Sequence, residues 1–174
     1  TNPKHPDGKV DNTHTNVAGA RQIVNLLLPE IVKVIPELAS HVVDYDFVVA
    51  KDGSGDFFTV QEAVNAAPDY CKQHETTIYI KDGVYEEKVT IPANKQRLHL
   101  IGQSADKTVI TWSDYAKKIG PTGYELGTSA TSTVFLYADD FLAENLTIEN
   151  ASGEGKAIGQ ACAITVDGDR VAFI

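Results

Sequence analysis

The sequence predicts an all-β domain with one short capping helix, preceded by a small helical segment. Three observations predict it. From Phe47 onward, short β-branched or aromatic runs recur, separated by Gly, Asn, Asp or Ser. No helical pattern lies between the later runs, which excludes a doubly wound α/β sheet, because parallel strands in that fold need helices between them. One stretch, Thr59 to Ala67, combines helical spacing with both start and stop signals.

The first 43 residues read differently from the rest. Asp11-Asn12-Thr13-His14-Thr15-Asn16 precedes a helical pattern from about Ala18 to Leu28, with Ile23, Leu26 and Leu27 on one face. Thr15 or Asn16 suits the N-cap. Pro29 is expected to open a second helical segment through Ile31, Val34, Ile35 and Leu38. Asp11 and His14 have the spacing of a carboxylate that orients an imidazole, which in turn activates a serine. The plainer reading is two solvated loop residues ahead of a helix.

The organising stretch follows. Phe47-Val48-Val49-Ala50 is an apolar strand closed by Asp52-Gly53-Ser54-Gly55-Asp56, a turn-forming cluster. Thr59 and Glu62 have the spacing of a capping box. Val60, Ala63, Val64 and Ala67 then recur at helical intervals until Pro68. Thr77 to Ile80 is a strand, Lys81-Asp82-Gly83 a turn, and Val89 to Ile91 resumes the strand.

Further strands are expected at Leu98–Ile101, Val109–Trp112, Thr133–Tyr137, Leu146–Ile148, Ala163–Val166 and Val171–Ile174. The pattern leaves a sandwich, a barrel and a parallel β-helix open. Asp167-Gly168-Asp169-Arg170 reads as the turn before the last strand rather than as a catalytic carboxylate pair. Asn145-Leu146-Thr147 and Asn150-Ala151-Ser152 fit glycosylation sequons, but asparagines bonding the backbone at turns are the preferred reading.

Composition excludes several function classes. With 24 acidic residues against 15 Lys and Arg, the formal net charge is -9, and no basic patch invites nucleic acid. No apolar run approaches the roughly 20 residues of a membrane span. The start Thr1-Asn2-Pro3-Lys4 shows no signal peptide, and the chain looks cut from something longer. Cys71 and Cys162 lie far apart and read as idle or buried thiols. The five histidines do not cluster, so neither a metal nor another cofactor is expected.

Several motifs carry a resemblance. Asp52-Gly53-Ser54-Gly55-Asp56-Phe57 with its helix, Gly83-Val84-Tyr85-Glu86-Glu87 as G-x-Y-x-E, Thr128-Ser129-Ala130-Thr131, the segment from Asp140 to Thr147, and Gln160-Ala161-Cys162-Ala163 occur in the order of the pectinesterase family. The chain resembles that family over roughly residues 44–174. The resemblance implies the N-terminal part of a right-handed parallel β-helix, with the helix from Thr59 capping its end. It also implies methyl-ester hydrolysis of pectin by two aspartates, one nucleophilic and one acid/base, with glutamines facing the oxyanion and an arginine. Gln160 opens the family's Q-A-[VC]-A block and is the expected oxyanion donor, the alternative being a glutamine at a coil-edge turn. Thr128 falls at a substrate-contacting threonine. The polar insert from Ser113 to Gly127 reads as a loop beside the substrate groove, with Tyr115 and Tyr124 available to stack on sugar rings.

The family's Q-D block, D-F-I-F-G block and arginine have no counterpart before Ile174. These 174 residues are therefore expected to release no methanol by themselves; a non-catalytic pectin-binding β-helix module and a bare structural fragment associated with an esterase are the competing readings. Residues 11–20 resemble the last block of SGNH (GDSL-type) rhamnogalacturonan acetylesterases, so residues 1–43 read as the tail of such a domain. Asp11 and His14 would then be a triad remnant without its serine and inactive. Two pectin-ester modules in tandem imply a secreted or periplasmic bacterial protein, expected to be a monomer.

Overall fold

The computed structural model describes residues 17–36 and 45–174. The chain divides into two units, Thr1–Asp44 and Tyr45–Ile174. In the first, helix α1 spans Val17–Val34 and runs through Pro29. This corrects the expectation of two helices meeting there. A proline inside a helix loses one N–H donor and crowds the carbonyl four residues back, at a cost of roughly 3 kcal/mol. Good helix formers flank it, Leu26 to Leu28 before and Glu30 and Lys33 after, and Lys33 Nζ meets Glu30 Oε1 at 2.5 Å. Asp11, His14 and the expected N-cap lie outside the described residues.

The second unit is built from eleven strands among the described residues: β1 (Phe47–Val49), β2 (Thr76–Ile80), β3 (Gly83–Glu86), β4 (Val89–Ile91), β5 (Leu98–Gly102), β6 (Thr108–Trp112), β7 (Val134–Leu136), β8 (Leu142–Glu144), β9 (Thr147–Asn150), β10 (Ile164–Val166) and β11 (Ala172–Phe173). They form three parallel sheets, ordered β1-β2-β5-β8-β11, β3-β6-β9 and β4-β7-β10. From β2 onward the chain visits the three sheets in rotation, so each circuit lays one strand on each sheet. All the predicted strands are present, with ends shifted by a residue or two.

In-register pairing stacks like side chains in columns. Ile78, Leu100 and Ala143 are Cα partners along the first sheet, and Tyr85, Ile110 and Ile148 along the second. Period-2 alternation sends these inward, leaving Thr77, Tyr79, His99 and Ile101 on the outer face. The core is accordingly apolar, with Ile78, Ile80, Val89, Ile91, Leu98, Ile110 and Leu136 fully buried. No room exists for a side chain at Gly102, where a Cβ would lie 2.0 Å from the Asn145 carbonyl oxygen of the next circuit.

One end of the core is covered by α2 (Val60–Ala66), which buries Val60, Ala63 and Val64. Both halves of the capping box form: Glu62 N–H donates to Thr59 Oγ1, and Thr59 N–H donates to Glu62 Oε2. The helix ends at Ala67, whose ψ of 145° is the extended conformation required before Pro68. The G-x-Y-x-E motif supports this end. Tyr85 is buried and donates to the Lys81 carbonyl at 2.8 Å; burial, reinforced by the Glu87 carboxylate, pushes its phenol up to about 12. Glu87 accepts from Val60 N–H at 2.8 Å and Gln61 N–H at 3.0 Å, holding a carboxylate at the helix N-terminus.

Two strands escaped sequence reading. Gly83–Glu86 contains a glycine and a glutamate, and Leu142–Glu144 has better helix than strand formers. Pairing of β3 with β6, and of β8 with β5 and β11, overrides those preferences. The corner before the first sheet is built from residues at positive φ: Arg97 at 60°, Asp140 at 55° and Arg170 at 56°. Asp169 belongs to this corner, where its N–H donates to Asp139 Oδ1 at 2.9 Å and its carboxylate takes Arg170 Nη1 at 2.6 Å. The Asp167–Arg170 segment is thus the expected turn.

Candidate active site

Two connections between the second and third sheets, one from β6 to β7 and one from β9 to β10, carry the expected site residues. They belong to successive circuits and so lie side by side. The earlier connection contains the insert and a single 3-10 turn, Thr128–Ala130; the later contains a one-turn helix, α3 (Gly155–Ile158), followed by Gln160.

The Gly127-Thr128-Ser129-Ala130-Thr131 segment is a platform of internally satisfied polar groups. Thr131, Ser132 and Thr133 are fully buried. Thr131 Oγ1 donates to the Thr128 carbonyl at 2.8 Å and accepts from Cys162 N–H at 3.1 Å. Thr133 Oγ1 donates to the Glu149 carbonyl at 2.7 Å, and the hydroxyls of Ser132 and Thr165 lie 2.7 Å apart. These contacts discharge the desolvation cost of three buried hydroxyls. They also bind the two connections together.

Gln160 is exposed at the top of this platform. Its Oε1 accepts the Thr128 hydroxyl at 2.6 Å. A carboxamide has one accepting and one donating end, so with Oε1 taken by Thr128 the two protons of Nε2 remain available to donate. Gln160 and Thr128, separated by 32 residues, are the two sequence candidates that the fold brings into contact.

The insert is a short hairpin. Gly120 N–H donates to the Tyr124 carbonyl at 2.8 Å and Leu126 N–H to the Lys118 carbonyl at 2.9 Å. Its base is bonded to the later connection: Ala116 N–H donates to the Gln160 carbonyl at 2.8 Å, and Lys117 N–H to the Ile158 carbonyl at 3.3 Å. Tyr115, half-buried, therefore sits one residue from the group that meets Gln160, whereas Tyr124 is 78% exposed near the hairpin tip.

An ionic group anchors that base. Asp114, 8% exposed, accepts Lys88 Nζ on Oδ2 and Lys118 Nζ on Oδ1, both at 2.7 Å. Lys88 Nζ also donates to the Ala130 carbonyl at 2.7 Å and lies 5.5 Å from the centre of the Phe135 ring. Burial opposes the charged carboxylate, but the bonds from Lys118 and Lys88 outweigh it, holding Asp114 below the usual carboxylate range. Sequence reasoning gave Lys88 and Asp114 no role and named Thr131 only as part of the Thr128–Thr131 motif. It noted Asn150 only as a turn or sequon residue.

Among the described residues, no group of three His, Cys, Asp or Glu side chains is placed to hold a metal, and no helix is long and apolar enough to cross a membrane. Cys71 and Cys162 are half-buried and unpaired. The arrangement offers one chemical capability: an oriented amide donor on a rigid, hydrogen-bonded platform, suited to a developing negative charge.

A family model described as Pectinesterase matches residues 46–174. Pectinesterase QRT1 of Arabidopsis thaliana is 42% identical over 130 residues, covering 72% of this chain and 34% of the relative. The solved pectin methylesterase from carrot superposes with a TM-score of 0.67 at 37% identity, covering 76% of this chain and 39% of that one. A pectin methylesterase solved in complex with a hexasaccharide gives 0.65 at 34% identity, covering 76% and 42%. The chain thus spans well under half the length of these relatives.

Proposed function

Because the chain belongs to the pectinesterase family, we propose that the whole protein hydrolyses the methyl esters of pectin, with Gln160 donating to the oxyanion. The observation that carries this reading is the 2.6 Å contact from the Thr128 hydroxyl to Gln160 Oε1, which leaves Nε2–H as the end available to donate. When a carboxylate attacks a methyl ester, the carbonyl oxygen becomes an oxyanion; an amide already pointing at it needs no reorganisation as the charge develops. A partner carboxyl group then protonates the leaving methoxide. Those two carboxylates are assigned to no residue of this chain. Thr128 serves as the positioner of Gln160 and a substrate contact, and Tyr115 and Tyr124 as stacking surfaces for sugar rings beside the groove.

The rotation of the chain through three parallel sheets supports the finer assignment of a right-handed parallel β-helix for residues 44–174, its N-terminal part, with α2 as its cap. We assign residues 1–43 to the tail of an SGNH-type esterase domain, with Asp11 and His14 as an inactive remnant. Pectin is the proposed partner, the site of action extracytoplasmic, secreted or periplasmic, and the protein a monomer. Methanol release from methyl-esterified pectin by the full polypeptide tests the assignment. Turnover lost in Gln160→Ala supports it; no release by the unaltered full polypeptide sinks it.

A further inference from the structure

We propose that Asn150 is a positioning residue for Gln160, its side-chain amide bolting together the three backbone segments that build the site. The functional half of this proposal rests on the oxyanion reading of Gln160.

Asn150 is the last residue of β9, opposite Trp112 at the end of β6. Its Nδ2 lies 2.8 Å from the Asp114 carbonyl oxygen, 3.0 Å from that of Thr131 and 3.0 Å from that of Cys162. The three acceptors belong to the start of the insert, to the platform carrying Thr128, and to the segment carrying Gln160. Its Oδ1 accepts from Ser152 N–H at 3.1 Å, which fixes the orientation of the amide.

Three carbonyl dipoles converging on one point need a neutral group with more than one proton. An aspartate of the same shape would present negative oxygens to them, and an apolar residue would leave buried carbonyls unsatisfied. A hydroxyl brings one proton on a shorter stem. The NH2 of asparagine supplies two, shared among three acceptors. Thr131 reinforces the joint, because its hydroxyl links the Thr128 carbonyl to Cys162 N–H. Gln160, two residues from one of these acceptors and exposed itself, takes its position from this joint. The Asn150-Ala151-Ser152 sequon is accordingly committed to structure, since a glycan on Nδ2 would replace one of the two shared protons.

The test uses Asn150→Asp and two measurements. In amide exchange, Cys162 and Ala116 are expected to lose protection about tenfold or more, while Leu100 and Ile110 in central strands keep theirs. In the full polypeptide, kcat on methyl-esterified pectin is expected to fall about 10- to 100-fold at similar KM, the scale of a misplaced catalytic group. Added to Gln160→Ala, the substitution is expected to cause no further loss, because it acts through that residue. Undiminished protection at Cys162 and Ala116 overturns the joint, and losses that multiply in the double variant overturn positioning through Gln160. Normal turnover in Gln160→Ala with lost protection in Asn150→Asp removes the oxyanion reading and leaves the joint standing. Should Asn150→Asp fail to fold, Asn150→Ser, uncharged and smaller, is read by the same two measurements.

Discussion

The Thr128 hydroxyl donates to Gln160 Oε1 across 2.6 Å, and this contact occupies the accepting end of the Gln160 carboxamide. Thr128→Val keeps the shape and removes the donor. A neutral hydrogen bond is worth about 0.5–1.5 kcal/mol net, so kcat of the full polypeptide is expected to fall roughly 2- to 10-fold. Thr128→Ser, which retains the hydroxyl, should recover most of the loss. Equal turnover in the valine and wild-type proteins would assign the contact to packing.

Gln160→Ala removes the donor itself. Loss of one oxyanion donor typically costs about 10²–10³ in kcat, with KM much less affected. Gln160→Glu is expected to be at least as damaging, because a carboxylate repels the developing charge. Gln160 is exposed, so the thermal midpoint should hardly move. Near-normal turnover with reduced thermal stability would make it a structural glutamine.

Asp114 makes the anchoring of the insert acid-sensitive. Its carboxylate is held below the usual range against the opposing effect of burial, by Lys118 and Lys88. A depressed folded-state pKa contributes stability above the unfolded value, about 3.9, and loses it as pH falls through the folded value. Trp112, the protein's one tryptophan, lies two residues away and reports on this region. Its fluorescence is expected to change below about pH 4, and in Asp114→Asn that transition should be absent, with the altered signal already present at neutral pH. An unchanged acid transition in the variant would show that another group governs it.

Glu87 caps α2 from another segment, taking the N–H groups of Val60 and Gln61. Glu87→Ala is expected to lower the unfolding free energy by about 1–2 kcal/mol, as for other lost N-terminal caps. Denaturant unfolding measures this directly. A change within experimental error would mean that water replaces the carboxylate at no cost.

Local features were legible because their causes are local. The Thr59–Glu62 capping box, the stop at Pro68, the β-branched strands and the Asp167–Arg170 turn each depend on residues a few positions apart, and the structure has all of them. Gln160 and Thr128 stood out through family motifs, one residue at a time. Their contact did not, nor did the convergence of Asp114, Thr131 and Cys162 on Asn150, nor the pairing of Lys88 with Asp114. Those partners lie 12 to 36 residues apart in sequence, and their meeting depends on the register of one circuit on the next. The same register imposed strands on Gly83–Glu86 and Leu142–Glu144 against their preferences. Residue type and spacing determined the other nine strands, the turns and the capping helix. Only the stacking of circuits decided which side chains share a site, because hydrogen bonds and burial between neighbouring strands reward one alignment of distant segments that no local pattern encodes.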